Sequence, residues 1–278
     1  MAGTLLHITI ADAALERHGA RHRRMEAALE HRRNYRLGAV FVDLPYFDRL
    51  WLNGLKTVFH RPLSFNEWGT AIHRKSPFSL LVELLDGASS PEEEAFALGA
   101  MTHHAVDLAF HPRIVREVRE ETDDDNLYDS THKRIEDAYD VESHYHLLGH
   151  SGIGRPYTGR AMAIPVRQRW TRLATRAVSA IHGGSPTAAR WGRWLNNLRM
   201  FALASVTPLP PWVHSSRQGP GPIRDAAISL TKRSLDECGA YLLAGCRYLE
   251  GEIGPDRLAE IIPDLSLLDG EAAIRARL

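Results

Sequence analysis

The chain has 278 residues, 44% of them hydrophobic, with 34 basic and 34 acidic side chains. That length supports one large domain or two small ones around a substantial core, and a formal charge of zero singles out no charged partner. No apolar run approaches the roughly 20 residues that cross a bilayer, the N-terminus lacks the pattern of a secretion signal, and Cys238 and Cys246 give neither a disulfide framework nor a thiolate metal site; the reading is cytoplasmic, with no transmembrane segment.

Apolar spacing predicts an all-α fold, a compact multi-helix domain with helices over 5–17, 21–34, 66–86, 91–109, 113–121, 130–148, 160–182, 187–204, 222–250 and 255–262. The first carries His7 within LLHITIADAAL. His18, His22 and His31 follow among arginines and are expected on a solvated helix face. Next come GAVFVDLPYF with Asp43 and, after His60, WGTAIHRKSP with His73. An unpartnered ionisable group in an apolar setting costs several kcal/mol, so His7, Asp43 and His73 all need partners.

SSPEEEAF opens the 91–109 helix with a cap, a proline and acids. Within it, GAMTHHAVDLAFHP places His103, Asp107 and His111 four residues apart. Each such step turns the helix only roughly 40° beyond a full circle, so the three share a face, while His104 points roughly 100° away and reads as a core or supporting residue. After the acidic REVREETDDDNLYDS, His132 and Glu136 repeat the four-residue step on the 130–148 helix. His144, His146 and His150 in ESHYHLLGH are expected at the surface or behind such a site. In all, 13 of the 15 histidines lie in residues 1–150. Five nitrogen and oxygen donors on two helices suit zinc or a similar divalent ion.

From Ser143 to Arg224 there is no Asp or Glu, but there are eleven arginines. They either pack against the acidic half or meet a phosphate-bearing ligand, for which the guanidinium fork is well shaped; solvated helix faces explain any single one as well. Trp191, Trp194 and Trp212 read as core or cleft wall. PLPP and GPGP break the chain into loops. With no internal repeat or low-complexity linker, residues 1–150 and the Arg-rich 151–278 read as two helical regions packed as one domain.

The order His7, GAVFVD with Asp43, His73, LGAMTHHAVDLAFHP with His103, Asp107 and His111, then HKRIE with His132 and Glu136 resembles the zinc-dependent phospholipase C family, which is related in fold to zinc-dependent single-strand nucleases. The resemblance spans roughly residues 5–150. It implies an all-α fold with two or three Zn2+ ions at the bottom of a cleft. Asp43, His73, His103 and Asp107 would hold one ion, and His111, His132 and Glu136 a second. Asp107 would bridge to a third that His7 helps to hold. In the family an N-terminal tryptophan completes that third site, whereas the first tryptophan here is Trp51, and the step from Asp107 to His111 is shorter than in the secreted enzymes. His60 is a possible substitute for His73.

The chemistry so implied is phosphoester hydrolysis by a zinc-activated water, with Asp43 as general base or water positioner. Arg160 and Arg167 are the expected binders of the substrate's negative charge, the substrate being a lipid headgroup or a nucleotide. Three alternatives stay open. One is a single-strand nuclease or nucleotide phosphoesterase, for which RWTRLATR and ARWGRWLNNLR supply interleaved aromatic and basic residues. The others are a di-iron oxidase, which the histidine-rich, carboxylate-poor donor set disfavours, and a non-catalytic helical binding module. The oligomeric state is not legible.

Overall fold

A computed structural model describes residues 3–49, 52–53, 56, 66–149, 169–204 and 221–268. The helices are α1 (Gly3–His18), α2 (Arg23–Glu30), α3 (Arg32–Phe41), α4 (Glu67–Arg74), α5 (Pro77–Gly87), α6 (Pro91–Glu121), α7 (Asp125–Leu148), α8 (Arg169–His182), α9 (Ala188–Ala204), α10 (Gly221–Leu249) and α11 (Pro255–Ile261), with 3-10 turns at Gly19–Arg21 and Leu44–Arg49. The fold is all-α, as the apolar spacing predicts.

Several expected boundaries move. The 66–86 helix is two, because Pro77 disfavours helical backbone at the residue before it and Ser76 turns left-handed, φ 48°. The 91–109 and 113–121 helices are one, because Pro112 lies inside α6 without ending it. The 21–34 helix breaks at His31, and its continuation α3 takes in GAVF, an apolar stretch without helical periodicity. His18, expected to be solvated, is buried against Gly239 of α10. His22 caps α2, accepting from Arg24 N at Nδ1, and its Nε2 lies 3.0 Å from Glu250.

Helix α6 is the axis of the molecule. Ser90 caps its start, Pro91 occupies the first turn, and Glu92, Glu93 and Glu94 sit at the positive end of the helix dipole. Every residue from Ala95 to Phe110 is buried, so polar groups in that span have only protein for company. Helix α3 lies closest. A Cβ on Gly38 would fall 1.9 Å from Phe96 O, and one on Gly99 would fall 2.0 Å from Tyr35 O. Only a pair of glycines permits two backbones to approach so closely.

The second half wraps the first. Helix α10 packs on α6, α7 and α1, and α8 packs on α5. Phe41 and Phe96 from the first half pack at a tilt against Trp191 and Trp170 from the second, at centroid distances of 6.2 and 6.0 Å. Trp191 and Trp194 are fully buried, in keeping with the core reading of the sequence; Trp212 lies outside the described residues. Helix α9 also clamps the Leu44–Arg49 turn, with Trp194 Nε1 donating to Asp48 Oδ1 at 2.6 Å and Asn197 Nδ2 donating to Phe47 O at 2.8 Å. This fixes the chain just beyond Asp43.

Candidate metal centre

Five elements converge beside the middle of α6. Helix α1 brings His7, the turn after α3 brings Asp43, α4 brings His73, α6 brings His103, Asp107 and His111, and α7 brings His132 and Glu136. In each of three sets the ligand atoms lie within 4.8 Å of one another: His7, His103 and Asp107; Asp43, His73 and His103, which shares His103 with the first; and His111, His132 and Glu136. All eight residues singled out in the sequence thus meet in one place. His73 stands in the cluster in its own right; His60, Arg160 and Arg167 lie outside the described residues.

Asp107 is the hub. Its Oδ1 lies 3.1 Å from His7 Nε2 and 3.8 Å from His111 Nε2, while its Oδ2 lies 3.0 Å from His103 Nε2 and 3.6 Å from His73 Nε2. The two oxygens of one carboxylate therefore serve two groups of imidazoles. Asp43 is placed similarly, with Oδ1 3.4 Å from His73 Nε2 and Oδ2 accepting the Thr4 hydroxyl at 2.9 Å. The floor of the centre is dry, with the side chains of His103 and His73 0 and 1% exposed. Its lip is formed by Asp43, His111 and Glu136, at 12 to 15%.

The histidines are held from behind. His73 Nδ1 donates to Gly69 O at 2.7 Å, His103 Nδ1 to Ala39 O at 2.9 Å, and His111 Nδ1 to Leu267 O. Each backbone carbonyl fixes the ring with its Nε2 facing the carboxylates, as outer partners of metal-bound histidines do. The Ala39 contact exists because Gly38 and Gly99 let α3 approach α6.

Electrostatics follow from this crowding. Burial alone would lower the imidazole pKa of His103, but Asp107 and Asp43 override it and raise the group to about 9. His111 is raised to about 10 against the same burial, by Asp107 and then Glu136. Burial should raise Asp43, yet His103, His73 and His7 bring it down to about 2. Asp107 goes well below the carboxylate range, burial being outweighed by His103, His111 and His7. Burial keeps His132 neutral by lowering it to about 4. His103 Nε2, Asp107 Oδ2, His7 Nδ1 and His132 Nδ1 are buried without an aligned hydrogen-bond partner. Convergent imidazole nitrogens and carboxylate oxygens with unmet valence form a donor set that fits divalent zinc.

The supporting groups escaped the sequence reading because most are backbone atoms. Thr4 could have been found as the residue one turn before His7 on the same face. His104 behaves as expected of a core residue, donating from Nε2 to Pro263 O at 3.1 Å. His144 is buried between α7 and α1, where it receives the Thr9 hydroxyl at 3.0 Å; His146 is exposed, and His150 lies outside the described residues. Of the arginines in the acid-free stretch, Arg169, Arg172, Arg176, Arg193 and Arg224 are exposed, and Arg193 pairs with Asp48 at 3.3 Å.

A family model described as zinc dependent phospholipase C matches residues 6–154, more than half of the 278. Those residues contain all eight members of the cluster. No curated protein and no solved structure matches the chain.

Proposed function

The chain belongs to the zinc-dependent phospholipase C family, and from that premise we propose that it is a metal-dependent hydrolase of phosphoester bonds, holding two or three Zn2+ ions on His7, Asp43, His73, His103, Asp107, His111, His132 and Glu136. The observation that carries the reading is the position of Asp107, whose Oδ1 faces His7 and His111 and whose Oδ2 faces His103 and His73, as a carboxylate shared between cations would. Bound zinc would supply Lewis acidity, making a strong nucleophile of water near neutral pH and polarising a phosphoryl oxygen.

This chain's own residues do the rest. Asp43, on the accessible lip, accepts the proton of the attacking water at a carboxylate oxygen, and Thr4 fixes the carboxylate through Oδ2. His73 and His103 form the dry floor, which keeps bulk water from the reacting groups. The substrate enters over Asp43, His111 and Glu136. The proposal includes Arg160 and Arg167 as binders of its negative charge, and residues 1–150 and 151–278 as one domain, supported by the shared aromatic cluster. The proposed location is the cytoplasm, where the buried thiols of Cys238 and Cys246 stay reduced. Among the described residues no helix is long and apolar enough to cross a membrane.

The test is an assay of zinc-loaded protein on phosphatidylcholine vesicles, nucleotide diesters and single-stranded DNA in parallel. Hydrolysis of any phosphoester, lost by roughly 10²- to 10⁴-fold in Asp43→Asn, supports the reading. Loaded wild-type protein that leaves all three intact, or Asp43→Asn with undiminished turnover, refutes it.

A further inference from the structure

The segment after α11 lies more than a hundred residues beyond the matched region, yet it touches the candidate centre at two points and its neighbour His104 at a third. Leu267 O accepts from His111 Nδ1, Leu267 N donates to the backbone carbonyl of His73 at 2.9 Å, and Pro263 O accepts from His104 Nε2 at 3.1 Å. Asp264 Oδ1 accepts from Phe78 N at 3.3 Å, tying the same segment to the first turn of α5. The strand of chain is itself anchored, with the side chains of Ile262 and Leu267 0 and 2% exposed. One residue, Leu267, therefore spans from α4 to α6 across the back of the centre.

We propose that Pro263–Leu267 is a positioning segment of the metal centre, which holds His111 with its proton on Nδ1 and sets the separation of His73 from His111. The inference rests on the metal reading above and adds to it a part that the matched region does not contain. An imidazole at the rim has two tautomers and can rotate about its side-chain bonds; a carbonyl behind Nδ1 selects the one tautomer whose lone pair, on Nε2, faces Asp107 and Glu136, both 3.8 Å away. Because the same residue bonds the His73 carbonyl, movement of the segment would displace two of the eight cluster residues together.

The experiment compares full-length wild type, Leu267→Pro and Leu267→Ala. Proline removes the N–H that holds the His73 carbonyl and constrains the backbone at Leu267, whereas alanine removes the buried side chain and keeps both backbone bonds. Zinc affinity is read by competition with a chelator, coordination by the visible spectrum of the cobalt-substituted protein, and folding by the melting of the metal-free form. The expected result is a roughly 10- to 100-fold loss of zinc affinity with an altered cobalt spectrum in Leu267→Pro, and a lower Tm with wild-type affinity and spectrum in Leu267→Ala. Leu267→Pro that binds zinc like wild type, or Leu267→Ala that shifts both metal readouts equally, overturns the inference. Should Leu267→Pro fail to fold, the 15N NMR tautomer of His111 in the zinc-loaded wild type, where the ring is neutral, decides: Nδ1–H supports the segment's role and Nε2–H refutes it. Wild-type protein that takes up neither zinc nor cobalt refutes the metal reading and this inference with it; zinc bound equally by wild type and Leu267→Pro refutes this inference alone.

Discussion

Replacing Gly99 with alanine should loosen the centre from a distance. The new Cβ would lie 2.0 Å from Tyr35 O, whereas ordinary contact begins at 3.4 Å, so α3 and α6 must part by as much as 1.4 Å. His103 Nδ1 and Ala39 O are now 2.9 Å apart, and an opening beyond roughly 0.5 Å takes them out of good hydrogen-bond range. Overpacking costs about 1–3 kcal/mol, and the buried polar group left unmatched another ~1–3 kcal/mol; the gain of about 1 kcal/mol in helix propensity offsets only part. A net loss of a few kcal/mol should lower Tm by on the order of 10 °C in a chain of this size. Zinc affinity should fall roughly 10- to 100-fold through the lost support of His103. Gly192 in α9 is the control, since a Cβ there meets nothing within 4 Å; Gly192→Ala should be neutral or stabilising by roughly 0.5–1 kcal/mol. Calorimetry of both variants, with chelator competition, checks the reasoning. Gly99→Ala that melts and binds zinc like wild type would show that the helices do not need this approach.

Asp107→Ala should remove more metal than any other single substitution in the cluster, since both imidazole groups lose their shared carboxylate; elemental analysis showing the wild-type metal complement would refute the bridging role. The metal-free protein should lose stability as pH rises. His103 and His111 have folded-state values of about 9 and about 10, above the ordinary 6.5, so their contribution is fully present below pH 6.5 and lost as pH rises through 9 to 10. Asp43, at about 2, contributes above the ordinary carboxylate pKa and loses that contribution as pH falls towards 2. Urea midpoints of the chelator-treated protein should therefore drop between pH 7 and pH 10; an unchanged or higher midpoint contradicts the charge arrangement. Zinc binding at pH 7 should release protons from His103 and His111, measurable in weak buffer. Trp191→Ala should cost about 3–5 kcal/mol and lower a single cooperative transition; a separate melting of the second half would refute the one-domain proposal.

The helical class and the eight-residue cluster were legible because helical periodicity projects four-residue steps onto one face, and because His and Asp within apolar runs stand out. His103, Asp107 and His111 could be grouped from one helix alone. Bringing His7, Asp43 and His73 to them took the resemblance, since nothing local says that α1 and α4 end beside α6. What stayed hidden was mostly backbone chemistry. Ala39, Gly69 and Leu267 support the histidines through carbonyls that every residue possesses. The closeness of α3 and α6 was written in Gly38 and Gly99, but glycine in a helix reads first as a weakness. His18 looked solvated because its neighbours in sequence are charged, whereas its neighbour in space is Gly239. Pro112 looked like a helix end; propensity yielded there to the packing around α6.

The enclosure of α6 from Ala95 to Phe110 has a consequence for how the chain is made. One flank of this helix is covered by α10, whose last residue, Leu249, is synthesised 139 positions after Phe110. At translation rates of roughly 5–20 residues per second, an apolar side of α6 faces water on the ribosome for about 7 to 28 seconds. The nascent polypeptide, more than the finished protein, is thus the form with most to gain from a chaperone, and a message cut short before α10 would yield a product prone to aggregate.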